Sequence, residues 1–188
     1  MLSFLPVHSF HLSRILYNDF DMVYYHKISR NKTHRLTRAA LVGGCYFLLT
    51  VLPPFSSIAY GPVQVRVSEA LTVLPFLFPE TMWGLTIGCF LANVLGGLGV
   101  VDFLLGPLFT LLAGYLTSKV SRALWAPLPP VLVNGFGVSV YLAVLFRIPY
   151  LLSAFYVIVG EAIACYGLGL LLLVLLERRG YQKGVKKI

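Results

Sequence analysis

A chain of 188 residues that is 58% hydrophobic and only 12% charged cannot hide its apolar side chains in a water-soluble core, because so small a domain keeps a large surface for its volume. The net charge of +8 is not arranged as in a nucleic-acid binder, whose cations line a folded face. Arg14, Lys27, Arg30, Lys32, Arg35 and Arg38 lie before or at the start of the first apolar run, and Arg178, Arg179, Lys183, Lys186 and Lys187 follow the last; with a mean hydropathy of +0.82, this pattern is that of an integral membrane protein whose Lys and Arg mark the cytoplasmic side.

Residues 1–20 are too polar and broken to span a bilayer. They also lack the charged start, continuous apolar stretch and small-residue cleavage site of a signal peptide. Two readings stand for this stretch: an amphipathic piece lying on the membrane surface, or translation that begins at Met22. His8, His11, His26 and His34 all fall near this end, without a spacing diagnostic of a metal site. Cys45, Cys89 and Cys165 each sit in an apolar run, and an odd count with no metal-ligand spacing reads as small buried apolar side chains.

A helix crosses the hydrocarbon with roughly 20 apolar residues. The first such run is 36–52, stopped by Pro53-Pro54. Residues 53–69 are polar enough to lie outside the hydrocarbon, and Val63 to Val67 alternate like a short strand. The apolar stretch 69–95 is too long for one span. Pro75, Pro79 and Glu80 divide it into short helices over 68–78 and 81–95. A glycine-rich turn, Gly96-Gly97-Leu98-Gly99, leads to helices over 102–120, 131–147 and 153–176. The expected fold is therefore an all-α integral membrane bundle of six transmembrane helices. The expected division is a basic extension over 1–35, open to partial disorder, a membrane domain over 36–178 and a basic cytoplasmic tail over 179–188. With both termini inside, 13 of the 15 cations are cytoplasmic, Lys119 and Arg122 among them, and Arg66 and Arg147 fall outside.

Ionisable groups in or beside the spans are few, and each is costly in hydrocarbon. Glu69, Asp102 and Glu161 all fall in the outer half on this topology, which suggests a pocket open to the outside. For Glu69 the competing reading is a loop-closing salt bridge with Arg66, and for Asp102 it is a helix N-cap. Glu161 has no nearby cation in sequence and must find a partner or take a proton. Asn93 and Asn134 are intramembrane amides, able to meet the edge of a purine-like ring or to join helices. Asn134, early in a helix that starts inside, is placed for the structural role. Ala39, Ala40, Gly43 and Gly44 form two overlapping small-xxx-small pairs, suited to close packing within the chain or to docking another protein. No GxSxG, HExxH or phosphate-loop motif is present, and the spans hold no histidine for a general base. An enzyme is not expected.

The stretch Tyr60-Gly-Pro-Val-Gln-Val-Arg-Val-Ser-Glu-Ala-Leu-Thr-Val-Leu-Pro75 resembles the signature of the QueT family. Gly88-Cys-Phe-Leu-Ala-Asn93 with Asp102, Ala126-Pro-Leu-Pro-Pro-Val-Leu-Val-Asn134, and Gly160-Glu161 extend the resemblance over 36–178. It implies a six-helix substrate-binding S component of an energy-coupling-factor (ECF) importer in a bacterial cell membrane, multi-pass with cytoplasmic ends. It implies partners as well: a transmembrane T component and two ATPase subunits that use ATP, with no cofactor in this chain. The small residues Ala39, Ala40, Gly43 and Gly44 would dock on the T component. The implied cargo is a 7-deazaguanine, preQ1 (7-aminomethyl-7-deazaguanine) ahead of its nitrile analogue preQ0 or queuine. Glu161 is expected on the guanine-like edge and Glu69 or Asp102 near the ammonium, with Tyr60 and Gln64 covering the ring and Asn93, Asn134 and Arg66 completing the site. An S component for another vitamin, or a solitary transporter, fits the same composition.

Overall fold

The structure is a computed structural model that describes residues 31–60 and 65–181. The expectations for residues 1–30, for Gln64 and for the tail beyond Tyr181 lie outside the described residues. The chain divides into two units, Met1–Leu36 and Thr37–Ile188. What is described of the first is the opening of helix α1 (Lys32–Val51). There Asn31 Oδ1 accepts the Thr33 backbone N–H at 3.2 Å, an N-cap interaction.

In the second unit α1 stops just before Pro53-Pro54, and a short α2 (Ser56–Ala59) follows. Residues Val67–Phe76 form a 3-10 helix of ten residues, then come α3 (Thr81–Gly96) and α4 (Val100–Lys119). A 3-10 turn, Ala123–Trp125, leads into α5 (Leu128–Phe146). The last helix is continuous in three parts: α6 (Tyr150–Ala162), a π-helical stretch Ile163–Gly169, and α7 (Leu170–Arg178). No strand occurs among the described residues. The strand expected at Val63–Val67 is replaced, in its described part, by irregular chain at Val65 and Arg66 and by the 3-10 helix from Val67.

Three described helical stretches are long and apolar enough to cross a membrane: Val100–Lys119, Ala123–Phe146 and Tyr150–Arg178. Two shorter apolar helices, Val67–Phe76 and Thr81–Gly96, accompany them. The stretch expected as a helix over 68–78 is the tighter 3-10 form and ends at Phe76. At about 2.0 Å per residue its length is roughly 20 Å, less than a bilayer core. Pro75 does not break this helix but sits in its last turn. Helix α5 begins at Leu128, three residues before the expected start, because prolines at 129 and 130 occupy a first turn whose N–H groups have no helical partner anyway.

The polarity of the unit is inverted relative to a soluble domain. Thr50, Ser68, Thr72, Thr81, Thr117, Ser139 and Ser153 are fully buried, whereas Val144 and Leu151 are each nearly four-fifths exposed. The exterior is the apolar face that lipid covers. Helix pairs α3–α4, α4–α5 and α5–α6 are neighbours, and the 3-10 helix lies against α4 and the π-helical stretch. Val73 and Phe76 of that helix pack with Ala126, Val131, Cys165 and Leu173.

The two ends of the unit differ. At one, Arg38 pairs with Glu80 at 3.2 Å and covers the Phe78 ring, Phe78 meets Tyr181 edge-on, and Thr117 bonds the Ala126 carbonyl. Arg38, Lys119, Arg122, Arg178 and Arg179 thus belong to one end. At the other, Tyr60 donates to the Ala92 carbonyl at 2.8 Å. The turn between α3 and α4 is there, with Gly97 at φ 70° and Gly99 at φ 105°, conformations that glycine alone adopts without strain.

Candidate functional site

Ten residues from five segments enclose a cavity between the helices: Arg66, Glu69, Cys89, Gly106, Thr110, Asn134, Val138, Tyr141, Val157 and Glu161. Its volume is about 10 Å³, room for about one water. Anything larger than a water needs wall side chains such as Tyr141, Val138 and Val157 to move.

Arg66 is 7% exposed, so the segment expected to lie outside the hydrocarbon sends its cation inward. Its Nε donates to the Ala59 carbonyl at 3.2 Å and its Nη1 to Asn93 Oδ1 at 3.0 Å, while the Tyr60 ring lies 5.5 Å from the guanidinium carbon. Asn93 is itself fixed, through Nδ2, to the Asp102 carbonyl at 3.1 Å. A Cβ on Gly106 would collide with that amide nitrogen, so glycine at 106 is what lets α4 approach Asn93.

Glu69, in the first turn of the 3-10 helix, accepts a hydrogen bond from the Tyr46 hydroxyl on Oε1, and its Oε2 is buried without a partner. The loop-closing salt bridge with Arg66 does not form. Asp102 Oδ1 accepts from the Tyr141 hydroxyl at 2.7 Å, and Oδ2 is unpartnered. The N-cap alternative fails as well, since Asp102 lies inside the first turn of α4 and no side chain caps that helix.

Glu161 sits about 16 Å along its helix from Tyr150, deeper than the expected start at 153 implied, and next to the π-helical stretch. Its Oε1 accepts from Asn134 Nδ2 at 2.8 Å and its Oε2 from the Cys165 thiol at 3.6 Å. That thiol is also within 3.3 Å of the Glu69 carbonyl oxygen, so Cys165 is more than an apolar filler. Asn134 reaches the cavity after all, bonded to Glu161 and with Oδ1 unpartnered.

Arg66, Glu69, Asn134 and Glu161 are therefore brought together around one cavity, and Asn93, Tyr60 and Asp102 hold its Arg66 and Tyr141 walls. Sequence reasoning missed Tyr46, Tyr141 and Cys165. Their signal was an OH or SH group inside an apolar run, which by hydropathy alone is indistinguishable from packing. The four small residues divide. Ala39 and Gly43 are buried against α3, where a Cβ on Gly84 would strike the Ala39 carbonyl and one on Gly88 the Gly43 carbonyl. Ala40 and Gly44 face outward, and nothing stands near a Cβ built on Gly44.

An all-helical unit with an apolar exterior and a buried polar cavity is a membrane protein built around an internal site. The family is specific: a model described as the QueT transporter matches residues 36–178, and the chain belongs to this transporter family. Over 84 residues it is 38% identical to the Queuosine precursor transporter QueT of Lactococcus lactis subsp. cremoris (strain MG1363), an alignment covering 45% of this chain and 49% of that protein. The chain thus spans about half the length of the curated relative it matches. No solved structure matches it.

Proposed function

We propose that this chain is the S component of an ECF importer and captures a queuosine precursor, preQ1, from outside the cell. The observation that carries this reading is the cavity itself. It lies wholly inside the stretch that matches the transporter family, and three of the residues that line it, Arg66, Glu69 and Asn134, each carry a buried polar atom without a partner. Such atoms are costly to bury, and a polar ligand would satisfy them. Three carboxyl groups, those of Glu69, Asp102 and Glu161, surround one guanidinium, an acid excess that favours the cationic aminomethyl base over its nitrile analogue. The name of the Lactococcus lactis relative agrees with this class of cargo.

In this reading the chain crosses the membrane six times with both termini cytoplasmic, the residues flanking the short 3-10 helix completing its passage, and the end bearing Arg38, Lys119, Arg122, Arg178 and Arg179 faces inward. The cavity lies between mid-membrane and the outer end. The sequence carries no phosphate-loop motif, and in this reading a T component and two ATPases supply the energy. Ala40 and Gly44, the outward half of the small-residue set, are the part of α1 left for docking.

Calorimetry of the purified chain in detergent tests the reading. PreQ1 should bind more tightly than preQ0, and Glu161→Gln should weaken it by more than about tenfold, the loss of one charge-assisted hydrogen bond. Mild-detergent purification from the native membrane should bring down the T component and ATPases. A chain that binds no 7-deazaguanine is not this S component, and one that transports without partners is a solitary transporter.

A further inference from the structure

We infer that Arg66 reads the ring oxo group of the ligand, so that the cavity selects an oxo-bearing, amino-substituted base over the analogue with sulfur in place of the oxo oxygen. This rests on the reading of the cavity as the cargo site. It comes from the polar atoms that the fold leaves over. The Ala59 carbonyl and Asn93 Oδ1 occupy Nε and Nη1 of Arg66, and the Tyr60 face lies beside the guanidinium. These contacts fix its plane, and Nη2 remains buried without an acceptor. A guanidinium offers donors and no acceptor, so the missing partner is an oxygen or a bare ring nitrogen.

The other unpaired atoms in the cavity wall have the opposite character. Glu69 Oε2 and Asn134 Oδ1 are acceptors, each buried and unpartnered. The orientation of the Asn134 amide follows from its neighbour, because Glu161 Oε1 takes the Nδ2 hydrogen and leaves the carbonyl oxygen for the cavity. Glu161, already bonded to Asn134 and Cys165, is in part a positioning residue for Asn134. One free donor and two free acceptors are complementary to a ligand edge with one acceptor and two donors. A cyclic lactam with an adjoining amine has that edge. Replacing its oxo oxygen by sulfur keeps the ring N–H and the amine and weakens only the acceptor opposite Arg66, which leaves a buried donor poorly paired, the situation that gives discrimination.

The test is calorimetry on the full chain in detergent with two ligands, 7-aminomethyl-7-deazaguanine and its counterpart with sulfur in place of the oxo oxygen. The wild-type protein should prefer the oxo ligand by at least about tenfold, the lower end of the range of a hydrogen bond to a charged group. Arg66→Met should lower that preference below about threefold. Glu69→Gln should weaken both ligands and keep the preference, which a merely structural role for Arg66 would not separate. A wild-type preference below about threefold overturns the inference, as does a monodisperse Arg66→Met chain that keeps the full preference. Should Arg66→Met fail to fold, Arg66→Lys, which keeps a cation without the fixed Nη2, should show the lowered preference instead, and a folded Arg66→Lys chain that keeps the full preference overturns the inference. Equal binding of the two bases sinks the role of Arg66 and spares the cargo reading; no binding of either sinks both.

Discussion

Tyr46 has one hydroxyl and gives it to Glu69, which determines which carboxylate oxygen is left over for the cavity. The tyrosine is fully buried, packed with Leu85 and Cys89, so Tyr46→Phe keeps the ring and removes only the orienting bond. That substitution should weaken preQ1 binding by about tenfold and, because it leaves Glu69 Oε1 buried without a donor, lower stability by about 1–3 kcal/mol, read by calorimetry and differential scanning in detergent. Gly106 acts by what it lacks. A methyl group there meets the Asn93 amide, and Asn93 holds Arg66, so Gly106→Ala should displace the guanidinium through its support. Binding should fall at least about tenfold, with overpacking costing about 1–3 kcal/mol of stability. Arg147 is a residue of another kind: it closes α5 at φ 54°, a left-handed conformation that costs an L-residue roughly 1–2 kcal/mol relative to glycine. Arg147→Gly should raise the unfolding temperature and leave ligand affinity unchanged.

At the scale of the element, two helices meet backbone to backbone. Ala39 and Gly43 on α1 and Gly84 and Gly88 on α3 are both spaced by four, so each pair makes one smooth stripe, and the carbonyls of α1 fill the space where side chains on α3 would stand. Gly84→Ala should therefore destabilise the fold or prevent it, measured as loss of monodisperse protein on gel filtration. Gly44→Ala, facing open space, should be neutral or slightly stabilising, since alanine is the better helix former by about 1 kcal/mol. A reduced yield of the T component with a folded Gly44→Ala chain would then assign the outward stripe to docking. The 3-10 helix and the π-helical stretch meet in the same way. A Cβ on Gly169 would approach the Ala70 carbonyl to 2.9 Å, and the Cys165 thiol bridges Glu69 and Glu161 nearby. Irregular helix is found here, beside the cavity, as is common at functional sites.

For the whole molecule the proposed topology makes a direct prediction. In a background lacking Cys45, Leu98→Cys should react with a membrane-impermeant maleimide from outside the cell, and Gly180→Cys only in inverted vesicles. Labelling of Gly180→Cys from outside would overturn the orientation.

The sequence by itself determined where the helices are. Hydropathy, prolines and glycines act locally, so the expected runs 81–95, 102–120, 131–147 and 153–176 lie close to α3, α4, α5 and the α6–α7 helix. It also named the acids and amides, because a charge in an apolar run stands out whatever it touches. Tertiary structure alone decided what those groups do. Arg66 turning inward to Asn93, Tyr46 reaching Glu69, and Asn134 meeting Glu161 join residues 27, 23 and 27 positions apart. Which oxygen or nitrogen stays free is a property of the assembled helices, because a polar atom is satisfied by whatever neighbouring chain comes within hydrogen-bond reach, and hydropathy carries no record of that.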